Sequence, residues 1–256
     1  MLWIVKLTVT PLLVGLVSLA ARRWGPTMGG LLMAMPWMTG PILFFLALER
    51  GPVFAREMCV GVELGAAGIG AWALAYAGLA RRARWPVCLA AAIAGYVASG
   101  LLLGSVPFAL TGAALLAYAA LIGTFIIVPR PPEPDVVRGL PWWDIPVRMA
   151  ATALLVAIIV TTSGILGPQY SGIAATYPVI ATVVTTFTHH RWGAPATIRL
   201  LRAMVLSLQA FTTFFLVVGS TIESLGTVPA FALALATALT IAGLVITLVR
   251  SGVVKS

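Results

Sequence analysis

Glu63 is the residue of this sequence best suited to proton chemistry. It is the only carboxylate deep inside an apolar stretch, which runs from about residue 54 to 79. A charge there is costly, so the side chain is expected to be protonated or paired, and such acids often mark proton or cation pathways. A neutral glutamate that hydrogen-bonds between helices is the alternative interpretation. Gln209, an amide in a later apolar stretch, is a candidate uncharged partner for Glu63.

A second group of polar residues follows a helical period in a later apolar stretch. Spacings of i, i+4, i+7, i+8 and i+11 place these residues on one helical face: Pro178, Thr182, Thr185, Thr186 and His189. This face is expected to look into the protein. The alternative is that the threonines bond their own helix backbone and the histidine lies at the membrane interface. No metal site is predicted, because the His189-His190 pair has no third candidate ligand near it in sequence.

The composition of the chain indicates that lipid, rather than water, surrounds it. Of its 256 residues, 61% are hydrophobic and 9% are charged, and the mean hydropathy is +1.05. The apolar runs are long enough to cross the ~30 Å hydrocarbon layer at ~1.5 Å per residue. The net charge of +9 comes from basic residues in short loops, which orient membrane helices and do not indicate nucleic acid. With only seven acidic residues, mostly in loops, no enzyme, catalytic group or cofactor is expected.

Nine membrane-spanning helices are predicted from the apolar runs and from the Gly, Pro or charged residues between them. They lie near residues 2–21, 27–48, 54–79, 85–104, 108–128, 147–166, 169–189, 197–219 and 228–249. This division puts thirteen Lys and Arg residues on one side of the membrane and three on the other. Because short basic loops stay in the cytoplasm, the N-terminus is predicted outside and the C-terminus inside a cell membrane, inner or plasma.

The two halves of the chain match each other at an offset of 142 residues. Glycines and prolines, which fix backbone geometry, coincide: Gly30 with Gly172, Pro36 with Pro178, and Gly51 with Gly193. The match predicts an all-α, polytopic membrane helical bundle in a 4+1+4 arrangement with two inverted-topology repeats. Its parts are repeat 1 (residues 1–104), a linker helix (105–128), a cytoplasmic linker (129–146) and repeat 2 (147–256).

The two matched prolines define the predicted site. Pro36 and Pro178 fall about ten residues into their spans, near the bilayer midplane and at the depth of Glu63. Paired Gly/Pro interruptions in corresponding helices favour a transport site, although membrane helices also tolerate proline as a simple packing kink. The predicted substrate-binding residues are Gly30, Pro36, Glu63, Gly172, Pro178, Thr182, Thr185, Thr186, His189 and Gln209.

The function predicted from this plan is a multi-pass secondary transporter of a small solute, with proton coupling through Glu63 as a further expectation. Its partners would be the lipid bilayer and a small-molecule or ionic substrate. A channel or lipid scramblase is the first alternative, and a non-transporting membrane assembly or stability factor is the second. A channel would need a continuous polar stripe in both repeats. The positions that match the threonine face are not polar: Gly40, Leu43, Phe44 and Ala47.

Overall fold

The computed structural model describes residues 39–128 and 168–251 without interruption, and isolated positions within 12–36 and 145–154. These residues form helices and no strand. The described residues form seven helices, which are α1 (Thr39–Arg50), α2 (Pro52–Leu79), α3 (Trp85–Gly104), α4 (Leu110–Ile127), α5 (Pro168–Ala175), α6 (Val179–Leu225) and α7 (Thr227–Arg250). The prediction of an all-α protein is confirmed for this part of the chain.

Five stretches of the described chain are long and apolar enough to cross a membrane. They are Pro52–Leu79, Trp85–Gly104, Leu110–Ile127, Pro168–Leu225 and Thr227–Val249. In α3 and α7 only 22% of the most apolar window is buried inside the protein, so most of this apolar surface faces outward. Apolar helices with exposed faces are typical of contact with lipid. The fold is a helical bundle compatible with a membrane protein.

Helix α2 forms the centre of the bundle. It packs against α3, α4, α5 and α6, and most of its residues are buried. Its sequence allows this because glycines recur along it and let other backbones approach closely. A Cβ atom at Gly61 would overlap the backbone of Gln169 in α5, and a Cβ atom at Gly172 would lie 2.8 Å from the Val62 nitrogen. Helices α2 and α5 therefore touch backbone to backbone.

Helix α6 bends sharply at Gly193. This residue has φ 74° and ψ −174°, a conformation that glycine adopts readily and other residues rarely do. The bend divides α6 into two parts, called here the first arm (residues 179–192) and the second arm (residues 194–225).

The two arms of α6 run in opposite directions beside α2. In the first arm, His189 contacts Tyr76 near the end of α2. In the second arm, Gly219 lies against Cys59 near the start of α2. The chain from α5 through α6 contains 58 residues and would be about 87 Å long if straight, nearly three times the ~30 Å apolar layer. The reversal at Gly193 lets this chain fit a bundle of membrane thickness.

One end of the bundle, called here the basic end, contains the loop 81–84 and the bend at Gly193. The end of α4 lies there too, because Arg202 of α6 donates hydrogen bonds to the carbonyl oxygens of Phe125 and Val128. The guanidinium carbon of Arg202 also lies 4.3 Å from the centre of the Phe125 ring. Arg202, though almost fully buried, therefore satisfies the last carbonyls of α4.

The opposite end contains the start of α2 and the junction of α6 with α7. Arg56 and Glu223 form an exposed ion pair of 3.5 Å there. Gly51 precedes α2 and Gly226 precedes α7, and both have positive φ, 89° and 80°. Each glycine turns the chain into the next helix.

Several predicted spans agree closely with the helices. The predicted span 85–104 has the bounds of α3, and the spans near 54–79, 108–128 and 228–249 differ from α2, α4 and α7 by at most two residues at either end. The cytoplasmic linker predicted at 129–146 falls almost entirely outside the described residues.

The count of nine spans and the inverted repeat are not supported by these seven helices. The spans expected near 2–21 and 147–166 fall mostly outside the described residues. The spans expected near 169–189 and 197–219 correspond to two segments that run in opposite directions and are separated by the kink at Gly193. The first segment contains α5 and the first arm of α6, with the non-helical residues 176–178 between them, and the second segment lies within the second arm.

The contact between α2 and α5 predicts that Gly172→Ala destabilises the protein. The added methyl group would force the two backbones apart, and overpacking of this kind costs about 1–3 kcal/mol. Gly78→Ala is the matched control, because a Cβ atom there meets nothing within 4 Å. Thermal unfolding of the two purified variants in detergent measures their melting temperatures. Equal melting temperatures for the two variants would contradict the backbone contact.

Candidate functional site

Two interruptions of the helical backbone lie next to each other. Helix α5 ends at Ala175 and α6 begins at Val179, so Pro178 lies in a non-helical segment between them. Pro36 is also non-helical and precedes the start of α1 at Thr39. The Thr39 hydroxyl donates a hydrogen bond of 3.1 Å to the Ala175 carbonyl oxygen and joins the two interruptions. The mid-helix kinks expected at the prolines are therefore breaks in the helical backbone.

Both helix starts are built in the same way after their prolines. Proline has no N–H group and its ring clashes with the preceding turn, so a helix seldom continues through it undisturbed. The Gly40 N–H donates to the Pro36 carbonyl oxygen at 3.1 Å, and the Thr182 N–H donates to the Pro178 carbonyl oxygen at 2.8 Å. Each proline therefore supplies the acceptor for the first turn of the helix that follows it.

The carboxyl group of Glu63 is sealed between α2 and the second arm of α6. The residue has no exposed surface, and neither oxygen atom has a hydrogen-bond partner among the described residues. The Thr212 hydroxyl lies beside the carboxyl without hydrogen-bond geometry. The expected partner, Gln209, instead donates to the Val205 carbonyl oxygen of its own helix at 3.3 Å. Among the described residues no countercharge for an ionised carboxylate is present here, so the surroundings suit a neutral, protonated group.

Glu63 lies at the level of the break between α5 and α6. A Cβ atom at Gly65, two residues after Glu63, would lie 2.7 Å from the Thr176 Cβ atom at that break. Glu63 and the break at Pro178 therefore lie at about the same depth in the bundle, as the sequence predicted.

A second polar region lies against the first arm of α6. His189 Nδ1 and the Tyr76 hydroxyl share a hydrogen bond of 3.3 Å, and the Tyr76 ring packs against Trp72. Trp72 follows Glu63 by nine residues, or about two and a half helical turns, so the two side chains leave α2 on opposite faces. Helix α2 therefore divides the predicted single site into two regions.

On the threonine face of the first arm, Thr182 and Thr185 are buried and Thr186 is half-buried, and the hydroxyl groups differ in their partners. The Thr186 hydroxyl donates to the Thr182 carbonyl oxygen at 2.7 Å, as expected if threonines bond their own helix. The Thr182 hydroxyl donates to the Tyr177 hydroxyl at 3.2 Å. Thr185 and Thr188 are fully buried, and their hydroxyls have no partner in the part of the chain that the structure describes. Both sides of α2 thus carry unpartnered polar groups.

Sequence reasoning missed Tyr76, which contacts His189, and Thr212, which lies beside Glu63. Hydroxyl groups are common in apolar helices, and their alignment depends on how α2 pairs with the two arms of α6. Of the two matched glycines predicted for the site, Gly172 serves the backbone contact with α2, and Gly30 lies outside the described residues.

No protein-family model, curated protein or solved structure matches this chain. Its class therefore rests on its own geometry, which is that of a helical bundle compatible with a membrane protein. Within the described residues, no group of three or more His, Cys, Asp or Glu side chains could hold a metal ion. The arrangement offers a carboxyl that can carry a proton, two breaks in the helical backbone, and buried hydroxyl groups.

The absence of a partner for Glu63 predicts that Glu63→Met leaves the melting temperature unchanged or raises it. The substitution removes a buried polar group whose unpaired burial costs about 1–3 kcal/mol. Thr39→Val is the comparison, because it deletes a hydrogen bond and should lower stability by about 1 kcal/mol. Thermal unfolding in detergent measures the melting temperatures of both variants. A larger loss for Glu63→Met than for Thr39→Val would indicate a structural hydrogen bond at Glu63.

Proposed function

We propose that the protein is a multi-pass secondary transporter of a small solute, in which Glu63 binds and releases a proton. The observation that carries this proposal is the Glu63 carboxyl, fully buried and unpartnered at the level of the break between α5 and α6. Acids in the membrane interior are rare and usually functional, because their burial is costly. A carboxyl that is neutral when sealed and ionised when hydrated can couple its proton to a change of conformation.

The two helix breaks support this proposal. Many secondary transporters bind substrate where helices are discontinuous near the bilayer midplane, because the ends of the half-helices offer backbone dipoles there. The breaks at Pro36 and Pro178 are joined by the bond from Thr39 to Ala175. The solute is proposed to bind where these breaks meet, next to α2.

We further propose that the two halves of the chain are inverted-topology repeats. Gly51 and Gly193, 142 residues apart, both have positive φ and directly precede long helical segments. They lie at opposite ends of the bundle, with Gly193 at the basic end. Pro36 and Pro178, also 142 residues apart, lie beside breaks that touch each other. A two-fold axis in the membrane plane would produce this pattern, and it would relate inward-facing and outward-facing states.

A carrier is favoured over a channel by the sealing of Glu63. A channel needs a continuous hydrated path, whereas the Glu63 carboxyl has no exposed surface and α2 stands between it and the region around His189. An occluded polar group that reaches water only after a change of conformation is typical of alternating access.

The proposed coupling predicts that Glu63→Gln abolishes proton-driven flux. The amide has nearly the same shape but cannot carry the proton. Purified protein in liposomes, with an imposed pH gradient and a panel of small amines, acids and lipophilic cations, is the assay. Glu57→Gln is the matched control, because Glu57 is an exposed carboxylate of the same helix and should leave flux within about twofold of the unsubstituted protein.

Two outcomes would overturn parts of this proposal. Undiminished proton-driven flux in Glu63→Gln would remove Glu63 from the mechanism. Absence of flux for the unsubstituted protein across the whole panel would favour the non-transporting assembly factor.

The proposed orientation predicts that the basic end faces the cytoplasm. In a chain with Cys59→Ala and Cys88→Ala, Ser105→Cys should react with an impermeant thiol reagent in intact cells. Arg82→Cys should react only after the membrane is opened. Both positions are exposed at the surface, so burial does not hinder either reaction. Labelling of both from the same side would contradict the arrangement.

A further inference from the structure

A basic cleft opens at the basic end, between the loop after α2 and the bend of α6. Its lining comes from two parts of the chain that are about 100 residues apart in sequence. The side chains that line it are Arg81, Arg82, Arg84, Trp85, His189 and His190, and the backbone at Gly193 completes the wall. No carboxylate is among the described residues that line it.

The arginines give the cleft the chemistry of an anion site. Guanidinium groups present paired N–H donors whose geometry matches the oxygens of phosphate or carboxylate. A preference for arginine in cytoplasmic loops would explain the charge of the loop alone. It would not explain why two histidines and a helix start from a distant part of the chain lie across from that loop.

His189 is held in position for such a role. Its Nδ1 atom is engaged with the Tyr76 hydroxyl at 3.3 Å, and its ring packs edge-on against that of Tyr76. His189 borders the cleft, and its ring also interacts with the backbone of Ala80. A bond to one ring nitrogen commonly orients the other.

The start of the second arm of α6 adds a further attraction for anions. Gly193, which lies in the cleft wall, directly precedes this arm, whose first turn contains Pro195. The Thr197 hydroxyl, in the first turn of this arm, donates to the Gly193 carbonyl oxygen at 2.9 Å. The N-terminus of a long helix carries partial positive charge and binds phosphate well.

We propose that this basic cleft binds a phosphate group, carried either by a lipid headgroup or by a soluble phosphate compound. Three separate elements converge on the cleft: the arginine loop, the oriented His189 and the start of the second arm of α6. The inference does not depend on transport or on Glu63, which lies on the opposite face of α2.

The test measures phosphate binding by the purified full chain in a neutral detergent. One arm titrates inorganic phosphate by calorimetry at constant ionic strength, with chloride as the comparison anion. The other arm uses native mass spectrometry to compare retention of phosphatidate with that of phosphatidylcholine. Arg84→Gln and Arg82→Gln alter exposed side chains of the cleft, and Arg50→Gln removes the same charge from an exposed helix end outside it.

The expected result is saturable binding that Arg84→Gln and Arg82→Gln each weaken by about tenfold and Arg50→Gln leaves unchanged. Binding of inorganic phosphate supports a soluble ligand, and selective retention of phosphatidate alone supports a lipid headgroup. Absence of binding in both arms would overturn the proposal. So would equal weakening by Arg50→Gln, or full displacement by chloride, because either result would indicate unspecific attraction to positive charge.

Discussion

The backbone contact between α2 and α5 is the constraint on which the rest of the structure depends. In lipid the hydrophobic effect does not drive helices together, so their association depends on close van der Waals packing at small residues. Gly61 and Gly172 permit that approach, and Gly65 then receives Thr176 at the end of α5. The break before α6 is thereby fixed at the level of Glu63. The two arms of α6 can lie on different faces of α2 only because the chain reverses at Gly193.

Among the described residues, this arrangement leaves polar atoms without partners on both sides of α2. The Glu63 carboxyl and the Thr212 hydroxyl lie on one side, and the hydroxyls of Thr185 and Thr188 belong to the first arm on the other. Each unpartnered buried group costs free energy, which a bound solute or a second conformation could recover by supplying hydrogen bonds. A static scaffold would gain stability from apolar residues at these positions. The unpartnered groups therefore agree better with a protein that changes conformation than with a passive support.

The sequence predicted the helices better than it predicted the site. An apolar run bounded by proline and glycine predicted the bounds of α3, because Pro86 lies in the first turn of that helix and Gly104 is its last residue. The two spans predicted around Gly193 are present as segments that reverse direction at that glycine, whereas the break at Pro178 inside the first of them was predicted only as a kink. The site was predicted as one cluster because depth along a helix can be counted from sequence. The face that Glu63 presents to α6 depends on helix pairing, so its neighbour Thr212 could not be found in that way.

Cys59 allows the most direct test of alternating access at Glu63. This free, fully buried thiol lies one helical turn before Glu63 in α2. In a Cys88→Ala chain reconstituted in liposomes, an impermeant thiol reagent is applied from each side, with a pH gradient imposed in either direction. Our account predicts that Cys59 reacts from one side under one gradient and from the other side when the gradient is reversed. A Cys59 thiol that stays unreactive from both sides under every gradient would contradict it.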